Sequence, residues 1–164
     1  MKWDELSQQQ CSVARSLAVI GDRWTLLILS DCFLGVKRFD LFRERLQISK
    51  TILSDRLSLL EREGVLRKRA YQQAPARYEY KLTAKGLDLY PVIITLVNWG
   101  DRHYADEAGA PIIHRHKSCQ HDFEPQLACS HCHEPVSASE TEARKRPDSP
   151  KFPAVTRGPV LVAS

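Results

Sequence analysis

At 164 residues, with 43% hydrophobic and 27% charged side chains and a net charge of +4, the chain has room for one compact domain plus an appendage. No apolar run approaches the roughly 20 residues that cross a bilayer, and the opening MKWDELSQQQ lacks the apolar stretch of a secretory signal, so a cytoplasmic protein off the membrane is expected. Five cysteines, an odd number without an export signal, argue for reduced thiols rather than a disulfide scaffold.

In chain order, Val13, Leu17 and Ile20 recur at helical spacing before Gly21, which predicts a helix over 12–20. A second is predicted over 23–34, with Trp24, Leu27, Ile28 and Leu34 facing a core and Gly35 marking its end. RFDLFRERL, residues 38–46, predicts a short third helix with Phe39, Phe42 and Leu46 inward. Gln47 and Ile48 then lead into the most informative stretch. Ser49 can cap a helix, Ile48 and Leu53 suit a hydrophobic staple, and Gly64 ends the helix as the residue that tolerates a left-handed backbone. One face is apolar, at Leu53, Leu57 and Leu60. The other, Lys50, Thr51, Ser54, Asp55 and Arg56, carries the donors and acceptors that base edges and phosphates require in a major groove. Two helices linked this tightly have the organisation of a helix-turn-helix. Lys50 and Arg56 are expected to supply phosphate or base-edge contacts, with Thr51 and Ser54 as shorter donors. Arg56 could instead pair along its helix with Glu61 or Glu63.

After Gly64, VLRKRAY alternates, QQAPA is a turn that Pro75 keeps from becoming helix, and RYEYKL alternates again, which predicts a two-stranded wing. Between Lys37 and Arg77 lie eleven cationic side chains against five anionic ones, so the positive field is focused on the segment that already reads as a DNA-binding element. Thr83 is expected to cap a single long helix through about Glu107, kinked at Pro91. Its apolar stripe of Leu87, Tyr90, Ile94, Val97 and Trp99 packs on its own domain or, the favoured reading, on a second copy. Two-fold symmetry would set paired reader helices about 34 Å apart, over a palindrome-like site.

The tail has a different composition. His116 and Cys119 are two residues apart, as are Cys129 and Cys132, and nine residues separate the pairs. These four ligands are the set a closed, structural tetrahedral Zn2+ takes, with His114, His121, His131 and His133 as substitutes; a dithiol redox pair at Cys129 and Cys132 is the weaker alternative. Cys11 precedes a helix whose dipole favours a reactive thiolate, although a small buried side chain is the favoured reading for a free cysteine. Cys32 reads as core. From Ser137 onward the chain is polar and proline-punctuated and is expected to lack order, with Arg144, Lys145 and Arg146 a solvated run. There is no glycine-rich phosphate cradle, nucleophile elbow or helix-borne histidine pair, so an enzyme is not expected.

The run from Cys11 through CSVARSLAVIGDRWT and LSDRLSLLEREG to the Y-x-L-T-x-x-G segment at Tyr80 to Gly86 and on to Asn98, Trp99 and Gly100 resembles the HxlR family of winged-helix bacterial transcription regulators. The resemblance covers residues 11–100. It implies a mostly α fold with a small β wing (α+β), a winged helix-turn-helix, and a homodimer joined through the terminal helices. It also implies that the helix from Ser49 enters the major groove and that the wing near Arg77 lies on the minor groove or backbone. A cysteine at the place of Cys11 implies a redox response, though Ser12 follows it where the family commonly has proline. The expected organisation is a DNA-binding and dimerisation domain over 1–109, a zinc-stapled Cys/His appendage over 110–136 and an unstructured tail over 137–164. The expected function is a DNA-binding transcriptional regulator, a repressor acting as a homodimer and responsive to redox or small-molecule signals. The alternative is a winged-helix module that binds protein without reading DNA.

Overall fold

A computed structural model describes residues 3–144. Backbone contacts divide the chain into one unit over Met1–Glu107 and a second over Ala108–Ser164.

In the first unit the elements run α1 (Trp3–Leu6), α2 (Ser12–Ile20), α3 (Arg23–Phe33), α4 (Phe39–Leu46), α5 (Lys50–Arg62), β1 (Leu66–Gln73), β2 (Ala76–Leu82), α6 (Ala84–Leu87) and α7 (Tyr90–Tyr104). The predicted winged helix-turn-helix is therefore present, preceded by the one-turn α1, which is too short to show a periodicity. Ile28 and Leu29 of α3, Phe42 of α4, Leu53, Leu57 and Leu60 of α5, Val65 and Leu66 at the entry to β1, and Ile93 of α7 form one buried cluster. Removing such side chains from water stabilises the unit by about 1.5–3 kcal/mol each.

Helix α3 buries part of the predicted face: Ile28 is fully buried and Trp24 packs on the core. Leu27 and Leu34 are exposed, whereas Leu29 is fully buried. The helix is apolar on most sides, so spacing could not choose; α4, α5 and α7 packing on it did. Asp22 caps α3, accepting from Trp24 N at 3.0 Å and Thr25 N at 3.3 Å. Near its other end the buried Asp31 accepts from Arg45 Nε and Nη2, both at 3.0 Å, which ties α4 to α3. Helix α4 stops at Gln47, left-handed at φ 49, and Ile48 is buried as the chain turns into α5.

The wing is antiparallel from Leu66↔Leu82 to Gln73↔Ala76, with Tyr71 bulged between the pairs Ala70↔Tyr78 and Gln72↔Arg77. The ladder takes in Gln72, Gln73 and Ala76, so the predicted QQAPA turn shrinks to Ala74 and Pro75. Residues 37–38 add a short edge, with Tyr80 N donating to Lys37 O at 2.8 Å and Arg38 bridging Glu79.

Thr83 is a helix cap, but of one turn only. Its Oγ1 accepts from Gly86 N at 3.1 Å and donates to Gly64 O at 2.6 Å. The helix breaks after Leu87 and α7 starts at Tyr90, with Pro91 in its first turn and its end at Tyr104. Pro91 therefore does not kink one long helix; it begins a second. First-turn N–H groups have no partner within a helix, so proline loses nothing there and its φ is already set. Gly86 allows α6 to lie directly on the α5–β1 junction, where a Cβ would collide with the Val65 carbonyl. The predicted stripe mixed two faces of α7. Ile93 and Ile94 are buried and Leu89 and Val97 pack on the core, whereas Leu87, Tyr90, Val92, Leu96 and Trp99 are exposed. No helix among the described residues is long and apolar enough to cross a membrane.

In the second unit no described side chain is buried. Two hairpin-like loops lie over 114–123 and 127–136, closed by the isolated bridges Arg115↔Asp122 and Ala128↔Pro135. The stretch expected to lack order opens on a 3-10 turn, Ala138–Glu140, where Ser137 Oγ donates to Glu140 Oε2 at 2.6 Å. Lys145, Arg146 and the rest of that stretch lie outside the described residues.

Candidate nucleic-acid interface

Helix α5 is set by its two ends. Ser49 Oγ accepts from Ile52 N at 3.3 Å, and Gly64 follows the helix at φ 68, as the sequence predicts. With 3.6 residues per turn, side chains step about 100° round the axis. Leu53, Leu57 and Leu60 then point at the core, and Thr51, Asp55 and Ser58 point directly away from it, all exposed. Lys50 and Ser54 flank that outer face on one side and are also exposed. Arg56 lies on the opposite flank, about 160° from Ser54. Its Nε is 3.1 Å from Asp22 Oδ1, an ionic contact without hydrogen-bond alignment, and its side chain is 34% exposed. Asp22 thus caps α3 and holds α5. The sequence grouped Arg56 with Lys50, Thr51 and Ser54; the structure separates it from them and pairs it with Asp22 rather than with Glu61 or Glu63.

The wing adds a charged face. Alternation along the strands puts Arg67, Arg69, Arg77 and Lys81 on one side with Glu79 among them. A 2.7 Å bond from Lys81 Nζ holds the Glu79 carboxyl below the usual carboxylate range, with Lys37 and Arg69 adding smaller pulls against the effect of burial. On the other side Lys68 Nζ sits 4.3 Å above the Tyr78 ring. At the bulge Arg38, bridged to Glu79, stacks 4.9 Å over Tyr71. Arg77, near the wing tip, was the one wing residue singled out from sequence. Arg67, Arg69 and Lys81 belong with it, and the alternation of VLRKRAY and RYEYKL was the signal that could have found them.

Cys11 is half-buried at the N-cap of α2, where its sulfur makes no capping hydrogen bond. Just beyond it, Ser12, Arg15, Ser16, Val19, Ile20, Val65, Lys85 and Leu89 line a cleft of about 360 Å³. Cys32 packs against the core as expected. Burial pushes its thiol up to about 12, and the neighbouring Asp31 carboxylate adds to the effect.

The four ligands expected from the tail stand as two pairs. His116 Nδ1 is 3.3 Å from Cys119 Sγ, and Cys129 Sγ accepts from His131 N at 3.5 Å. Peptide N–H groups of Cys132 and His131 hold the Cys129 thiol below its usual range. Among the described residues, no three His, Cys, Asp or Glu side chains gather round one point.

Comparison with known proteins agrees with this architecture. The model of the HxlR-like helix-turn-helix family matches residues 19–108. An uncharacterized HTH-type transcriptional regulator of Mycobacterium tuberculosis is 42% identical over 127 residues, which span 77% of this chain and 80% of that protein. YdeP of Bacillus subtilis, likewise named an uncharacterized HTH-type transcriptional regulator, is 37% identical over 94 residues, 57% of this chain and 73% of that protein. Among solved structures, PA1607, a candidate transcription factor, superposes with a TM-score of 0.77 at 29% identity, covering 87% of this chain and 99% of that chain. The redox regulator HypR in its oxidized form superposes at 0.54 with 33% identity, covering 57% of this chain and 97% of that chain. With its helix-turn-helix, its wing and these relatives, the chain belongs to the HxlR-like helix-turn-helix family, as a transcriptional regulator of the HTH type.

Proposed function

We propose that this regulator binds duplex DNA by laying the N-terminal half of α5 in the major groove and the cationic wing face on the flanking backbone or minor groove. It does so as a homodimer on a palindrome-like operator and represses by occupying it. The observation that carries the reading is the outward face of α5, where Ser49, Lys50, Thr51 and Ser54 are all exposed beside the unfilled donors of a helix N-terminus. Lys50 and Arg77 are the phosphate contacts, and Arg56 positions α5 through Asp22 instead of touching DNA. Dimerisation is supported by the outward row Val92, Leu96, Trp99 and His103, spaced four, three and four residues apart along α7 and exposed. Cys11 is the thiol through which oxidants would act, in keeping with the likeness to HypR.

Fluorescence anisotropy with duplexes from upstream of the chain's own gene, titrated across salt, tests this. Lys50→Ala and Arg77→Ala should each weaken binding and lower the salt slope by about 1, because fewer counterions are released. Arg56→Ala should leave that slope unchanged. Unaltered affinity and slope in the first two variants would remove this face from the reading. If the full chain prefers no sequence and responds to no change in salt, a protein-binding winged helix becomes the better account. Sedimentation as a monomer at binding concentrations would remove the dimer.

A further inference from the structure

The two loops of the second unit repeat one backbone design at an offset of 13 residues. His114 O accepts from Phe123 N at 3.0 Å, and Leu127 O from Val136 N at 2.8 Å. His116 N donates to His121 O and Cys129 N to Glu134 O, both at 2.9 Å. Gln120 N donates to His116 O at 2.8 Å and His133 N to Cys129 O at 2.9 Å. The bridges Arg115↔Asp122 and Ala128↔Pro135 fall at the same offset. Each turn passes through a left-handed residue other than glycine at the matching place, Gln120 at φ 59 and His133 at φ 62. The side chains conceal this, since Cys119 and Cys132 are the one identical pair in the ten aligned positions.

What the repeat aligns are metal-binding positions, His116 with Cys129 and Cys119 with Cys132. It also decides among the histidines. His114, His121, His131 and His133 align with Leu127, Glu134, Ser118 and Gln120, so none of them is the counterpart of a cysteine. In the first loop His116 Nδ1 stands 3.3 Å from Cys119 Sγ. That is close to the edge of about 3.5 Å expected in a tetrahedron with zinc–nitrogen near 2.0 Å and zinc–sulfur near 2.3 Å. In the second, the peptide N–H of His131 points at Cys129 Sγ at 3.5 Å, a donor facing a sulfur that would carry charge. Only residues 124–126 separate the loops, a span of about 10 Å when extended. A unit whose described residues bury no side chain also needs something other than a core to close them.

We propose that the two loops clamp a single structural Zn2+, with His116 and Cys119 from one and Cys129 and Cys132 from the other. Binding takes three thiolates and one neutral imidazole, so the thiol protons leave to solvent, nothing is oxidised or reduced, and no coordination position stays open. The assignment is independent of how the first unit meets DNA.

Elemental analysis of the full-length chain, purified under reducing conditions, should find one zinc per chain. Replacement by Co2+ should give the visible bands of a tetrahedral thiolate site. Cys119→Ser, Cys132→Ser and His116→Ala should each lose the ion, whereas the paired change Cys11→Ser with Cys32→Ser should keep it. Because those variants could unfold the tail, blocking thiols in the unmodified chain gives a second measure, in which release of the ion should track three cysteines and not five. Less than about one tenth of an ion per chain after reconstitution with zinc would overturn the site. So would full occupancy in Cys119→Ser or Cys132→Ser, or a Cys129–Cys132 disulfide in a metal-free chain kept under reducing conditions.

Discussion

Between Met1 and Glu107 the chain removes Phe42, Leu53, Leu57 and Leu60 from water to 1% exposure or less, while from Ala108 to Arg144 Leu127 is left 70% exposed and no side chain is buried. The first unit is held by area, in one cluster reached from α3, α4, α5, the wing base and α7. The second is held by short-range backbone bonds that close one turn at a time. Hydrogen bonds of this kind give a loop its shape, yet their net contribution in water is about 1 kcal/mol each, so they leave the joining of two loops to a cross-link. That contrast suits the first unit to the DNA-reading role proposed for it. A reader helix has to be rigid to present donors in register, and burial of its opposite face supplies that rigidity.

The sharpest way to break the comparison is to truncate one apolar side chain in each unit. Phe42→Ala should cost about 3–5 kcal/mol in denaturant unfolding of the first unit, whereas Leu127→Ala should cost less than about 0.5 kcal/mol. Equal losses would mean that the second unit has a core after all.

The cysteines sharpen it next. The folded Cys32 thiol holds its proton more tightly than the ordinary value of 9.0, at about 12, because it is buried. Its contribution to stability is therefore intact below pH 9 and is lost as pH rises toward 12, at about 1.4 kcal/mol per pH unit. Cys32→Ala should flatten that alkaline slope. Brief peroxide or quinone treatment of the native chain should mark Cys11 and spare Cys32, read by peptide mass spectrometry. An unmodified Cys11 with DNA binding intact would end the sensing role proposed for it.

The smallest effect concerns the one cap on the reader helix. Ser49→Ala should destabilise by about 1 kcal/mol and Ser49→Gly by only a few tenths, since glycine leaves water access to the freed N–H groups. A loss well above that would show that Ser49 does more than cap α5.

Helix α5 was legible from residues alone because every signal that defines it lies within its own length, from Ser49 through the Leu53, Leu57 and Leu60 spacing to Gly64. The wing was legible for the same reason, apart from its turn, where the ladder ran on through Gln72 and Gln73 once the strands had paired. Helix α3 was found but its buried face only in part, at Trp24 and Ile28, since Leu26, Leu27, Ile28 and Leu29 offer little contrast for a periodicity to act on. Pro91 was read as a kink inside a helix because nothing nearby in sequence shows that the helix lapses into a turn at Asp88 and Leu89. The grouping of Arg56 with Lys50 and Ser54 failed for a similar reason: its partner Asp22 belongs to another helix.

Much local order thus came from the sequence by itself: helices α2 to α5 and the two strands, where α5 begins and ends, which residue types line it, and the Cys/His spacing in the tail. Those properties depend on backbone propensity, capping and side-chain chemistry within a few residues. The tertiary structure alone decided which face of α3 is buried in full, that Arg56 answers to Asp22, and that the two tail loops are copies of each other. Each of these is a relation between atoms distant along the chain, and only the packing of elements and the pairing of strands bring such atoms to a common place.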